Sequence, residues 1–223
     1  NGAAESLAFS TAGTAITGNY NAGSGVLTLG GSDTAAHYQQ VLRTISYNNT
    51  AQAPGTTARV VTFVANDGTS NSNVATATVA VSAVNDAPAL DNAGAMTLTP
   101  ITEDQVANNG NSVAEIIANA GGDRITDADA GAAEGIALRT TVNGGGAWQY
   151  SLDGGSSWSA VGSVSNGSAL LLRATDRVRF VPDGINATSA SFTFRAWDQT
   201  SGSAGSKVST ASNGGASAFS SAT

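Results

Sequence analysis

An internal repeat is the sequence feature that most constrains how this chain of 223 residues can fold. The segment Phe63–Asp67 returns as Phe194–Asp198, and both end in Ala, one further residue and Asp before running on as x-Thr-Ser-x-Ser. Similar strands precede the two segments, ending at Tyr47 and at Val181. Self-similarity of this kind is typical of tandem arrays. The sequence therefore predicts one structural unit that is used twice.

The unit is predicted to consist of β-strands. Residues 73–82 alternate apolar or β-branched side chains with small polar ones, the pattern of a strand with one buried face. From position 135 onward, short strand candidates recur about every 8–12 residues, which is typical of a β-sandwich. These candidates are residues 135–141, 147–150, 158–161, 169–173, 177–181 and 191–196. Two short helices are expected, at residues 35–42 with Asp33 as a candidate N-cap and at residues 112–117. Further strands are expected at residues 7–9, 26–29, 43–47, 59–65 and 96–102.

A proline-containing junction separates the two units. Pro88 lacks a backbone donor and fixes its own φ, and it also biases Ala87 towards an extended conformation, so the connection is expected to be short and stiff. The chain is long enough for two domains of about 100 residues each. We predict a first β-sandwich over residues 1–84, a linker over 85–90 and a second β-sandwich over 91–223.

The two units are out of phase with the repeat. The first continues after Asp67 into a long strand at residues 74–83, whereas the second runs out after Asp198 in Ser, Gly and Ala. Conversely, the section 97–133 has no counterpart in the first unit. The first domain is thus expected to lack its N-terminal part and the second its last strand. Either the boundaries fall out of register, or other copies of the chain supply the strands in trans.

Composition excludes several classes of function. No cysteine is present, which rules out disulfides, thiolate metal sites and cysteine nucleophiles, and a single histidine, His37, rules out a zinc site with two histidine ligands. The net charge of −7 disfavours nucleic acid and anionic membranes as partners and favours divalent cations. No apolar run approaches the roughly 20 residues that span a membrane, so no membrane insertion is expected.

The acidic residues include one pair with metal-ligand spacing. Asp127 and Asp129 stand two residues apart in a predicted loop, where both carboxylates can converge on one hard cation such as Ca²⁺. The loop is not a helix-loop-helix calcium site, because Leu138 occupies the position of the bidentate glutamate and Ala132 that of the glycine. Further candidate oxygen ligands are Asn85, Asp86, Glu103, Asp104, Asp198 and Asp67.

These motifs together resemble those of cadherin-type repeats, and most of all the cadherin-like tandem repeats of very large bacterial surface adhesins of the biofilm or RTX type. The resemblance rests on Asn-Asp-Ala-Pro at 85–88, Asp-Ala-Asp at 127–129 and Ala-x-Asp at 196–198 and 65–67. It implies Ig-like or cadherin-like Greek-key β-sandwiches strung end to end, with Ca²⁺ held at the junctions. The positions that match the family's calcium ligands are Asn85 and Asp86 in the linker, Asp127 and Asp129, and the late-strand Asp198.

The same resemblance implies that Glu103 would serve the following junction and Asp67 a preceding one. Two departures put the number of ions in question: the linker lacks the extra Asp and second Asn of animal cadherins, and Gln199 stands where a small residue followed by Gly is expected. The function expected is that of a secreted, cell-surface spacer that supports cell adhesion or biofilm formation, with neighbouring repeats as its partners.

Two alternatives stay open, a subunit of a strand-exchanged filament and a module that binds a surface glycan through Trp148, Trp158 or Trp197. Residues 151–158 fit the Asp-box pattern S-x-D-x-G-x-x-W, in which Asp and Gly form a hairpin turn and Trp packs beneath it. A sialidase would carry several such boxes, so a single box predicts a structural turn. We therefore expect no enzymatic activity.

Overall fold

The computed structural model describes residues 4–223, and the chain packs as two compact units, Asn1–Ala83 and Val84–Thr223. Regular structure in the described residues is mostly strand, arranged in small antiparallel sheets, with two short helices. The all-β prediction is confirmed at this level. Residues 85–90, predicted as a linker, fall within the second unit. Among residues 4–223, no helix has the length and apolar character required to cross a membrane.

The described residues of the first unit, 4–83, form three two-stranded antiparallel sheets and one helix. The sheets pair β1 with β4, β2 with β3, and β5 with β6. Helix α1 begins after Thr34, whose side chain accepts a hydrogen bond from the His37 amide, so Thr34 and not Asp33 is the N-cap. Asp33 instead accepts hydrogen bonds from Ala15 N and from its neighbour's amide. The elements are β1 (Glu5–Ala8), β2 (Thr17–Asn21), β3 (Val26–Gly30), α1 (Ala35–Leu42), β4 (Ser46–Asn49), β5 (Arg59–Phe63) and β6 (Ala75–Val79).

The second unit contains two four-stranded antiparallel sheets. One has the order β15-β10-β13-β16 and the other β12-β11-β14-β8, while β7 and β9 form a separate pair. The elements are β7 (Ala89–Leu90), β8 (Asn111–Ser112), α2 (Val113–Ala118), β9 (Ile125–Thr126), β10 (Gly135–Val142), β11 (Gly146–Ser151), β12 (Ser159–Ala160), β13 (Ala169–Arg173), β14 (Arg177–Pro182), β15 (Ser191–Ala196) and β16 (Lys207–Val208).

The core of the second unit follows from alternation along the central strands. In β13, Leu170 and Leu172 belong to the main core, whereas Ala169 and Leu171 belong to a smaller cluster on the opposite face. The main core also receives side chains from the other four-stranded sheet and from α2 and the β7–β9 pair; these include Leu90, Val113, Ile116, Ile117, Ile125, Trp148, Val178 and Phe180. The β15-β10-β13-β16 sheet is thus covered on both faces.

The C-terminal segment, defined as residues 209–222, covers the smaller cluster without forming a strand. Ala218 and Phe219 pack there beside Trp197, which is 1% exposed. Backbone hydrogen bonds join the segment to the end of β15, from Asp198 N to Ala218 O and from Ser220 N to Ala196 O. Where the repeat would place a long strand after Asp198, the chain forms only the two-residue β16.

The sequence determines where helix α2 begins. Ser112 accepts a hydrogen bond from Glu115 N, and the Glu115 side chain accepts one from Ser112 N, which completes a capping box.

Two predicted strands differ from the structure. Residues 96–102 form no strand, and Thr99 N donates to the Asn111 side chain and not to the backbone of a neighbouring strand. The strand predicted at 43–47 begins only at Ser46, because Arg43 is the C-cap of α1.

Candidate cation site

The β7–β9 pair positions the site. Ala89 faces Thr126 and Leu90 faces Ile125 in this antiparallel pair, and both Leu90 and Ile125 are buried in the main core. Residues immediately before β7 therefore lie beside residues immediately after β9. The first group contains Asn85 and Asp86, and the second contains Asp127 and Asp129. Asp198 joins them from β15, and we call these five residues, all in the second unit, the aspartate cluster.

Hydrogen bonds connect the two segments that flank the β7–β9 pair. Asp86 N donates to Asp129 Oδ2 over 2.8 Å, and Asp129 N donates to Asp127 Oδ1 over 2.8 Å. The loop after β9 is thus tied to the segment before β7 through a carboxylate. Each of these two aspartates uses only one of its oxygens in these bonds, which leaves a second oxygen for another ligand.

Asp198 is the most buried member of the cluster, at 3% exposed. Its Oδ1 accepts hydrogen bonds from Thr200 N (2.8 Å) and Thr200 Oγ1 (2.6 Å). Its Oδ2 accepts from Asn85 Nδ2 at 2.8 Å, and the same Nδ2 donates to Ser217 O at 3.2 Å. Asn85 therefore links the carboxylate at the end of β15 to the C-terminal segment.

One carboxylate oxygen of Asp127 lacks a hydrogen-bond donor in the described residues. This oxygen, Oδ2, is buried. Burial raises the pKa of the Asp127 carboxyl, and the negative charges of Asp129, Asp198 and Asp86 raise it further, against one lowering hydrogen bond from Asp129 N. No arginine or lysine contributes to this balance. The cluster is therefore a site of unneutralised negative charge.

A polar pocket of about 300 Å³ opens beside Asp127 and Asp129. Pro88, Asp123 and Glu134 also line it. Burial raises the pKa of Glu134, with a smaller contribution from the charge of Asp123. The pocket thus extends the negative potential of the cluster towards solvent.

The other three candidate ligands lie elsewhere. Glu103 and Asp104 form an exposed turn closed by a hydrogen bond from Gln105 N to Thr102 O. The Glu103 carbonyl lies near Gly184, in the loop that enters β15, whereas Asp198 follows the other end of that strand.

Asp67 belongs to the first unit. It is exposed, and its Oδ1 accepts hydrogen bonds from Thr69 N and Ser70 N, each 2.9 Å long, within its own turn. These bonds lower the pKa of the Asp67 carboxyl. The cluster in the second unit therefore contains five of the eight candidate ligands.

Sequence reasoning missed the contribution of the C-terminal segment. The Ser217 carbonyl contacts Asn85, and the Gly215 carbonyl accepts a hydrogen bond from Ala87 N at 2.7 Å. Backbone carbonyls in a Ser-, Gly- and Ala-rich stretch leave no signal in the sequence. Taken over residues 4–223, no three Asp, Glu, His or Cys side chains are already arranged as a metal-binding group. An ion would therefore have to draw the carboxylates of the cluster together.

The Asp-box loop is a closed structural turn. Asp153 Oδ1 accepts from Ser151 Oγ (2.7 Å) and Ser157 N (2.9 Å), and its Oδ2 accepts from Ser157 Oγ (2.6 Å). These bonds hold the pKa of the Asp153 carboxyl far below its usual range. The half-buried Trp158 ring stacks under the Arg179 guanidinium at 4.1 Å. Trp148 and Trp197 are buried in the core, which removes them as surface platforms for a glycan.

Comparison of the chain with protein-family models, with curated protein sequences and with solved structures finds no match.

Proposed function

We propose that the aspartate cluster binds Ca²⁺ and that the chain is a calcium-stiffened spacer repeat of an extracellular surface protein. The observation that carries this proposal is the buried Asp127 Oδ2, which lacks a donor and faces the charges of three other aspartates. A buried carboxylate without compensation is costly, and a divalent cation is the partner that relieves both the desolvation and the repulsion.

The donor set fits calcium better than the other common metals. Four carboxylates and the Asn85 side chain supply only oxygen ligands, and Ca²⁺ takes six to eight oxygens at about 2.3–2.6 Å in irregular geometry. Mg²⁺ requires near-octahedral geometry at about 2.0–2.1 Å, and the ligands of this cluster come from three separate segments. The absence of cysteine and of a second histidine disfavours zinc.

Calcium would act on the segment that precedes β7. Without the ion, repulsion among the carboxylates opposes the hydrogen bonds from Asp86 N and Asn85 Nδ2. With the ion, these residues and the loop after β9 share one ligand, so the start of the second unit becomes rigid. In an array of such units, Glu103 at the other end would contribute to the following junction. The proposed role is mechanical, with no catalytic step.

Terbium luminescence tests the site directly. Tb³⁺ replaces Ca²⁺ at oxygen sites and emits when a nearby tryptophan is excited, and Trp197 immediately precedes Asp198. We expect saturable emission that excess Ca²⁺ displaces and that the double variant Asp127→Ala, Asp129→Ala abolishes. The matched control is the double variant Glu103→Ala, Asp104→Ala in the exposed turn, which keeps the emission. Equal emission from all three proteins would reject the cluster as the site.

The strand-exchanged filament is a second candidate, and the first unit favours it. Within residues 4–83, the buried hydrophobic residues are Ile16 and Val41, and each of the three sheets has two strands. Val60 and Val74 are 62% and 61% exposed, beside sheet edges that pair with no further strand in this described part of the unit. Such edges accept strands from other copies. Light scattering should then show concentration-dependent oligomers, and a monodisperse monomer whose β5 and β6 amides are all protected from exchange would reject this function.

A further inference from the structure

Two arginines are neighbours across the β10–β15 pair of the β15-β10-β13-β16 sheet. Arg195 of β15 is opposite Ala137 of β10, and Ala137 belongs to the smaller cluster that the C-terminal segment covers. The register between the strands shifts between Leu138 and Thr140, which makes Arg139 the extra residue of a β-bulge. Bulges re-aim side chains. Arg139 lies two residues after Ala137 in β10, which makes it a diagonal neighbour of Arg195 across the β10–β15 pair. The positive charge of Arg139 accordingly lowers the pKa of Arg195.

The hydrogen bonds of Arg195 are incomplete. Its Nη1 donates to three successive carbonyls of the C-terminal segment, at 2.8 Å to Ser220 and also to Ser221 and Ala222. Its Nε is buried and has no acceptor among residues 4–223, and the same is true of the Nε of Arg139. The Arg195 residue is 8% exposed, whereas Arg139 is only half-buried and gives the pair access to solvent.

The charge of this pair is also uncompensated. Burial lowers the pKa of Arg195, and the positive charge of Arg139 lowers it further, with no carboxylate acting in the opposite direction. No ion pair in the described residues includes either arginine, although Arg59, Arg124 and Arg173 each have an acidic partner. A chain with a net charge of −7 has thus placed two cations side by side without an acid.

We propose that a small oxyanion, of the size of sulfate or a carboxylate group, binds between Arg139 and Arg195 and accepts hydrogen bonds from both Nε atoms. Guanidinium groups present Nε and Nη donors in a plane that matches two oxygens of such an anion. The anion neutralises the pair while Nη1 of Arg195 continues to hold the carbonyls of residues 220–222. It therefore secures the C-terminal segment on the sheet. Neither arginine belongs to the aspartate cluster of the proposed calcium site.

Arginine side-chain NMR is the direct test, with sodium sulfate as the probe. The Nε–H signals of Arg139 and Arg195, assigned from Arg139→Gln and Arg195→Lys spectra, should shift together and saturate as sulfate is added. Sodium acetate should shift the same two signals, and sodium chloride at equal ionic strength should not. The Nε–H signal of Arg43, which is exposed in the first unit, is the internal control and stays unchanged. If sulfate shifts no arginine signal, or shifts all of them in proportion to ionic strength, the proposal is overturned.

Thermal unfolding provides a second readout that needs no NMR assignment. Sulfate stabilises many proteins by exclusion from their surface, so the relevant quantity is the difference between variants. Sulfate should raise the Tm of the wild-type second unit more than that of Arg139→Gln, and Arg43→Gln should behave as wild type. Because Arg139→Gln removes a repulsion, its Tm in chloride should equal or exceed that of the wild type. A sulfate effect of equal size in all three proteins would overturn the proposal.

Discussion

Replacing Asp127 by Asn should change the stability of the second unit in opposite directions with and without calcium. The substitution keeps the shape of the side chain and an oxygen that can accept from Asp129 N, but it removes the charge that Asp129, Asp198 and Asp86 repel. It also turns a buried acceptor that lacks a donor into an amide that can donate to a neighbouring carboxylate. Correcting one unsatisfied buried group contributes about 1–3 kcal/mol. We therefore expect about 1–2 kcal/mol of stabilisation in chelator.

In calcium the order of stabilities reverses. An ion that binds only the folded state adds about 2.7 kcal/mol at a hundredfold excess over its dissociation constant. Each kcal/mol shifts the Tm of a unit of this size by roughly 3–4 °C. The wild type should therefore gain about 8–10 °C from calcium, whereas Asp127→Asn gains little. Circular dichroism melts across a calcium titration should show two curves that cross.

The pH dependence in chelator supplies an independent check. The pKa of Asp127 is raised in the folded state, so folding takes up a proton between the unfolded pKa of about 3.9 and the raised value. The contribution of Asp127 is consequently favourable to the folded state at low pH and is lost as pH rises through the folded pKa. The difference in stability between Asp127→Asn and the wild type should therefore grow over that interval and then level off.

Asp104→Asn is the matched control, because it removes one exposed aspartate charge outside the cluster. It should leave both the chelator and the calcium melts unchanged. The reasoning is refuted if Asp127→Asn lowers the Tm in chelator and retains the full calcium response, since the Asp127 carboxylate would then be compensated in the folded unit and dispensable for the ion.

Three further substitutions and one comparison variant test the fold of the second unit, each by urea denaturation. Ser112→Ala removes the acceptor for Glu115 N and should cost about 1 kcal/mol, and a cost near zero would show that the capping box is dispensable. Gly110→Ala places a Cβ 2.2 Å from Val178 O at a φ of 53°. It should therefore lower the free energy of unfolding by well over the roughly 1–2 kcal/mol that left-handed backbone strain alone costs. Gly121→Ala, at a φ of 73° with open space around the new Cβ, should lower it only by that strain. Leu172→Ala removes a fully buried side chain and should cost about 2–5 kcal/mol, and a smaller loss would mean that the core collapses around the gap.

The sequence predicted the elements whose signal is local. The strands at 169–173 and 191–196 appear with the predicted bounds, because an apolar run in the first and an alternation of apolar and polar residues in the second are local signals. Helix α2 was found within one residue at each end, and the capping box of Ser112 and Glu115 is likewise a local feature. The two-residue strands β7, β8, β9 and β16 were missed, because tertiary pairing alone defines them.

The sequence likewise predicts the candidate site only in part. The spacing of Asp127 and Asp129 and the repeat that marks Asp198 can be taken from the sequence alone. Their arrangement depends on the β7–β9 pair and on the carbonyl of Ser217, and no residue pattern in the sequence predicts either of these features. The resemblance assigned Glu103 to the following junction, and the fold puts it beside the loop that enters β15, outside the aspartate cluster.

The contacts of Asn85 determine when the cluster can form. Its side chain meets Asp198, 113 residues later, and the Ser217 carbonyl, 132 residues later. Contacts of such high sequence separation form late, because the loop between them must close first. Synthesis proceeds from the N-terminus, so residues 85 and 86 emerge long before their partners. The aspartate cluster is therefore assembled only after nearly the whole second unit has been made, which makes it a marker of completed folding.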